Sequence, residues 1–295
     1  MHFKKKYIFL MLLFLILNIA GCNLIPGCNA GEENSEERSQ EEKVMPNEIN
    51  EIQTAALEIM QQADLIPLVE EVSQQSEGDP EAEEQEAEEV ELTFEKTILG
   101  DVLIRELEAE GTDDGESIQL PEDTKEIWDN IKINVAKLHE QWNELEPMVI
   151  QENVYIDTIN AFEEELDSLT VFSTEQNYFG TLVAANELTL HLSKMMIPFA
   201  EDLIPTVHEL RYHVRNILLN AAIDNYRAAR QSLNYLKEHS LSVTSALKES
   251  EKRAEEFNIS LDNLQRALDN QNLNLININA AIVMDELIQM QEELE

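Results

Sequence analysis

The stretch WDNIKINVAKLHEQWNEL, residues 128–145, decides the fold. Its apolar residues Trp128, Ile131, Val135, Leu138, Trp142 and Leu145 recur in steps of three, four, three, four and three. On a helix of 3.6 residues per turn this spacing draws one apolar stripe, whereas a strand of period two would scatter the same residues over both faces. Upstream, Pro121 suits a first helical position, and Glu122 and Asp123 complement the positive end of the helix dipole. Downstream, Pro147 is expected to mark the exit.

The same pattern continues toward the C-terminus. Tyr155, Ile159, Phe162, Leu166 and Leu169 predict a second helix. Ser173-Thr174 is the expected cap of a third, with Leu182, Ala185, Leu188, Leu192 and Met196 inward and Pro198 and Pro205 limiting it. A fourth carries Val207, Leu210, Val214, Ile217 and Ala221, and its stripe drifts to Ala222, Tyr226, Ala229, Leu233 and Leu236, as a 3.6-residue turn drifts against a heptad. Ser240 or Ser242 is expected to cap a fifth, from Val243 through Leu247, Phe257, Leu261 and Leu264 to Leu268. The phase then slips at Asp269-Asn270-Gln271-Asn272, read as a tight turn, with one kinked helix as the alternative. Leu273, Ile276, Ala280, Val283, Leu287, Met290 and Leu294 form the last stripe, and Leu275, Ile278 and Ile282 add another that would bury this helix from two sides. The fold expected for residues 121–295 is therefore all-α, an antiparallel up-and-down bundle of five to six helices. Its 175 residues suffice for one good core.

Residues before 121 divide by composition. Residues 22–47 read as a disordered tether. Residues 48–76 hold a helical stripe of Ile49, Ile52, Ala56, Ile59, Ala63 and Ile66, which Pro67 interrupts or kinks. Residues 77–91 are an acidic linker without a basic residue, and 92–120 a weak helix around Leu99, Val102, Leu103 and Leu107 followed by a loop. These weak helices either pack on the bundle or stand apart from it. Glu32–Leu120 carries 29 acidic and 4 basic residues, within a chain of net charge −40. Such a chain repels nucleic acid phosphates, so no nucleic acid partner is expected.

The N-terminus carries its own signal. Lys4-Lys5-Lys6 precedes an apolar run from Tyr7 to Leu17 and then Ile19-Ala20-Gly21-Cys22. This resembles the lipobox of bacterial lipoproteins. The resemblance implies that residues 1–21 are a signal peptide cleaved before Cys22, that Cys22 is lipidated, and that the protein is anchored in the cell membrane on its extracytoplasmic face. The alternative, an uncleaved anchor, needs a span of roughly 20 apolar residues. Cys28 is then a lone thiol in the tether, without a disulfide or zinc partner.

Candidate chemistry is sparse. Glu187 and His191, and Glu209 and His213, are each four apart and so share a helix face where a metal could be held, with His139 or Glu140 as the only third ligand in reach. Exposed helix-stabilising pairs are the other reading. Imelysin-like lipoproteins resemble this chain in architecture alone, since their His-x-x-Glu motif does not occur here. There is no P-loop, dinucleotide fingerprint or nucleophile elbow, and no cofactor is expected. The aromatic residues, Trp142, Phe162, Phe199 and Tyr212 among them, read as core packing. Arg211, Arg215, Arg227 and Arg230 read as surface partners for glutamates of neighbouring helices, or as the lining of a cleft for an anion. The expected function is a non-enzymatic, membrane-anchored interaction or structural lipoprotein that meets a protein partner or another copy, with Val243–Leu268 as the candidate face. The alternative is a metal- or small-ligand-binding lipoprotein associated with transport.

Overall fold

The computed structural model describes residues 44–76, 97–111, 121 and 123–294, and these are helices joined by turns, with no strand among them. The expected signal peptide, Cys22 and the 77–91 linker lie outside the described residues, as does most of the expected tether. The helices are α1 (Asn47–Asp64), α2 (Ile66–Ser76), α3 (Gly100–Ala109), α4 (Thr124–Gln151), α5 (Ile156–Thr174), α6 (Tyr178–Met196), α7 (Ile204–Ala222), α8 (Tyr226–Ala246), α9 (Ser250–Asp269) and α10 (Leu273–Leu294). None of those described is long and apolar enough to cross a membrane.

The stripes read from the sequence face one continuous core. Ile131, Leu138 and Leu145 of α4 pack there with Phe162 of α5, Leu182 of α6, Val214 of α7, Leu236 of α8, Leu261 of α9 and Ile276 of α10. Consecutive helices from α4 to α10 pack on one another, and α7 also packs on α10. The two early helices are central to this core. Helix α1 lies against α4, α6 and α3, and α3 also lies against α10. Ile49, Ile52, Leu57, Ile59, Met60 and Leu103 are fully buried, each worth ~1.5–3 kcal/mol of transfer free energy.

The turns explain where the expected boundaries move. Asn153, Gln176, Asp224 and Gln271 have positive φ of 61°, 56°, 59° and 51°. After each comes an N–H that bonds five residues back: Val154 to Val149, Asn177 to Phe172, Asn225 to Asn220 and Asn272 to Ala267. This is the Schellman closure, which usually places glycine in the left-handed position. Here it is built from Asn, Gln and Asp. In three of the four turns the following Asn caps the next helix. Asn177 Oδ1 accepts from Gly180 N at 3.0 Å, Asn225 Oδ1 from Ala228 N at 3.4 Å, and Asn272 Oδ1 from Leu275 N at 3.0 Å. The α9–α10 turn falls where the phase slip placed it. The expected fourth helix is instead two, α7 and α8, broken at 223–225. Its drifting stripe was the trace of a turn that no glycine announced.

Three further boundaries are corrected. Pro147 lies inside α4, which runs on to Gln151. Buried Val149 holds that last turn in the core, so the proline removes a bond without ending the helix. Ser173 and Thr174 do not cap α6; their hydroxyls donate back to Thr170 O within α5. Likewise Ser240 and Ser242 lie within α8, where Ser242 Oγ donates to His239 O, and the true break is at Leu247, which is extended (ψ 156°). Residues 121–295 thus hold seven helices among those described rather than five to six.

Candidate functional site

Polar side chains enter the core where α3, α6 and α7 meet. On α7, His208, Arg211 and Arg215 are three and four residues apart, so they lie along one face. Glu106 on α3 and Glu110, the residue that ends it, are also one turn apart. The two helices present these groups as rungs. Arg215 Nη1 reaches both oxygens of Glu106, at 2.5 and 2.6 Å, with both side chains fully buried. The rest of this guanidinium is held by α6: Nε donates to Asn186 Oδ1 at 2.8 Å and Nη2 to Thr189 Oγ1 at 2.7 Å. One turn away Arg211 Nη1 donates to Glu110 Oε1 at 3.1 Å. The desolvation cost of the buried Glu106–Arg215 pair is offset by these hydrogen bonds as long as every partner stays. It also ties α3, α6 and α7 to one another.

The start of α3 is held by a second buried acid. Asp64, at the end of α1, accepts from Ile98 N at 2.9 Å, Leu99 N at 2.7 Å and Tyr178 Oη at 3.3 Å. Burial pushes its carboxyl up to about 6, against these hydrogen bonds, which favour the charged form.

The ladder ends at a cleft of about 550 Å³ bounded by the start of α1, the end of α3 and the α6–α7 connection. Its lining includes Met45, Met196, Phe199, Glu110 and His208. His208 is 5 % exposed. Burial, then the cations Arg211 and Arg215, push its imidazole down to about 3, so it is neutral at ordinary pH. Its Nδ1 and the Nε of Arg211 are buried and have no hydrogen-bond partner among the described residues. A shallower depression of about 440 Å³ lies along α9 and is lined by that helix alone.

The four candidate metal groups are placed elsewhere, between α6, α7 and α8. Glu187 Oε1 accepts from Tyr212 Oη at 2.7 Å. Glu209 is hydrogen-bonded to Tyr235. His213 stacks on Tyr235 at 4.0 Å, and Tyr235 stacks on His239 at 3.9 Å. Burial pushes His213 down to about 4, helped by His239 and Lys194, and burial does the same to His191. Glu187 and Glu209 are thus engaged by tyrosines, and no three His, Cys, Asp or Glu among the described residues form a metal-holding group. His139, the possible third ligand, bonds Thr170 Oγ1 at 2.8 Å.

Arg211, Arg215 and Arg230 pair with acids of other segments, as the sequence suggests, but Arg211 and Arg215 are in the core rather than on the surface. Arg230 pairs with Asp269 at 3.2 Å near the surface. Glu106 and Glu110 escape sequence reasoning. The available signal was an acid, Glu106, set between Leu103 and Leu107 on an otherwise apolar stripe. No protein-family model, no curated protein and no solved structure matches the chain.

Proposed function

We propose that this chain is a lipid-anchored, non-enzymatic helical protein of the extracytoplasmic face that docks a protein partner on the outer side of α10. The anchor rests on the lipobox-like Ile19-Ala20-Gly21-Cys22 and the basic, apolar leader before it. An up-and-down arrangement of the bundle is supported by cross-helix pairs in which one number rises as the other falls. Between α4 and α5 these are His139 with Thr170 and Trp142 with Glu163; between α8 and α9, Arg230 with Asp269 and Lys237 with Asp262.

The observation that carries the docking reading is an apolar stripe left in solvent. Leu275, Ile278 and Ile282 lie three and four residues apart on α10 and are 44 %, 40 % and 43 % exposed. The sequence pattern predicts that this stripe buries α10 from a second side, and offers Val243–Leu268 as a candidate face only where it stays exposed. Val243, Phe257, Leu261, Leu264 and Leu268 are buried in the core, whereas the α10 stripe stays exposed. Three aligned apolar side chains on a helix are the anchors of a helix-to-helix contact. The acidic chain also selects what lies on them. A second copy would bring an equally acidic surface, whereas an apolar helix rimmed by Lys and Arg is drawn in.

A designed amphipathic helix of Leu and Lys tests this against a Gln and Lys helix of equal charge. The Leu helix binds about tenfold tighter. Replacing Leu275, Ile278 and Ile282 together by Gln removes that advantage. Equal binding of the two helices, or an unchanged advantage in the triple variant, contradicts the reading. Separately, Cys22→Ala releases the protein from the membrane fraction; retention there contradicts the anchor.

A further inference from the structure

The cleft at the end of the charge ladder lies away from the proposed docking face and calls for a different ligand. We propose that it binds a small organic cation, a protonated amine on an apolar body. The charge of the walls sets the sign. Glu110, Glu201 and Asp202 come to it from the end of α3 and from the α6–α7 connection, and among the described residues no Lys or Arg lines it. Asp202 is partly committed, since its Oδ1 accepts from Ile204 N at 3.0 Å, and Glu110 is shared with Arg211. Glu201 is exposed at the rim. Arg211, three residues from His208 on α7, is 1 % exposed, and its Nη1 is paired with Glu110.

The buried wall sets the polar contact. His208 lines the cleft, and its Nδ1 has no partner among the described residues. A buried polar atom left in this way is costly, and a ligand that supplies the missing bond recovers that cost. Burial, and then Arg211 and Arg215 beside it, keep the imidazole neutral, so it has one nitrogen able to accept a hydrogen bond from an ammonium group. The apolar wall sets the body. Met45 and Met196 offer thioethers and Phe199 a ring, surfaces that take an alkyl or aromatic group and tolerate an adjacent cation. A volume of about 550 Å³ suits a small molecule.

Calorimetric titration and melting of the full chain with phenethylammonium, butylammonium and spermidine test this, with 2-phenylethanol and 3-phenylpropionate as neutral and anionic controls. At least one amine binds at about millimolar Kd or better, about tenfold tighter than either control, and raises the melting temperature. Glu201→Gln combined with Asp202→Asn changes exposed residues and lowers amine affinity about fivefold or more. His208→Phe, checked by circular dichroism for an intact fold, lowers it as well. Failure of all three amines to bind, binding no tighter than phenylethanol, or binding that ignores Glu201→Gln/Asp202→Asn overturns the proposal. The triple Gln variant of α10 binds the amine normally, so loss of docking and loss of the cleft are read separately.

Discussion

Two arginines of this protein bridge helices to acids and differ in one respect, water. Arg215 on α7 is fully buried among Glu106, Asn186 and Thr189, and every nitrogen of its guanidinium has a fixed partner. Arg253 on α9 is 21 % exposed and is shared among Glu256, Glu286, Gln289 and Glu293. In the first setting a lost partner leaves an uncompensated charge in the core. In the second, solvent and three other acceptors fill in. The comparison teaches that the α3–α6–α7 junction depends on individual side chains, whereas the α9–α10 hairpin is held by its apolar stripe and treats its charges as exchangeable.

The largest expected effect therefore falls on the ladder. Glu106→Ala is expected to cost about 3–5 kcal/mol in urea unfolding, because it strands Arg215. Glu106→Leu combined with Arg215→Met recovers most of the loss, since it removes both charges. A single-variant cost below about 1 kcal/mol would place this pair with the surface ones.

Next comes the acid that holds the start of α3. The folded-state carboxyl of Asp64 lies near 6, above its unfolded value of 3.8, so the folded state binds the extra proton. Its contribution is fully present below about pH 4 and is lost as pH rises through 6. Compared with Asp64→Asn, the wild type should therefore gain up to about 2–3 kcal/mol on acidification from pH 7 to pH 4. The difference between the two proteins is what must be followed. His191 and His213 are pushed down to about 4 and His208 to about 3, so they act in the opposite sense, losing stability as pH falls below 6.5. A pH-independent difference would show that the hydrogen bonds from α3 keep Asp64 ionised.

Smaller effects separate the two regions by their turns. A Cβ on Gly180, at the start of α6, would lie 2.8 Å from Phe172 Cγ and 2.9 Å from the capping side chain of Asn177. Gly180→Ala should cost about 1–2 kcal/mol, read as a lower urea midpoint. At the α9–α10 turn the sign reverses. Gln271 occupies a left-handed conformation that costs an L side chain about 1–2 kcal/mol. Gln271→Gly should stabilise the hairpin by about 0.5–1 kcal/mol after the added freedom of the unfolded chain is counted. A loss of stability there would mean that the Gln271 side chain makes a contact worth more than the strain.

The apolar stripes of α4 to α10 were legible because one physical demand, a buried face, repeats every three or four residues. The turns were less so. Gln176, Asp224 and Gln271 do the work for which glycine is the usual signal: the break at Gln176 is expected slightly early, at Ser173-Thr174, the phase slip after Leu268 marks the one at Gln271, and the turn at Asp224 carries no signal. Helices α1 and α3 were hard to place because both border acidic sequence and α3 is short, yet their stripes are central to the core. The ladder could not be read, because Glu106 and Arg215 are 109 residues apart and no local pattern pairs them. The exposure of Leu275, Ile278 and Ile282 was misjudged for a related reason. Periodicity shows that a face is apolar, but not whether another helix arrives to cover it.

The most direct test is a pair of double-mutant cycles measured by urea unfolding, Glu106 with Arg215 and Glu293 with Arg253. A coupling above about 2 kcal/mol in the first cycle and below about 1 kcal/mol in the second is the expected result. Couplings of equal size would contradict the claim that burial, rather than the ion pair itself, makes the α3–α6–α7 junction the anchor of the fold.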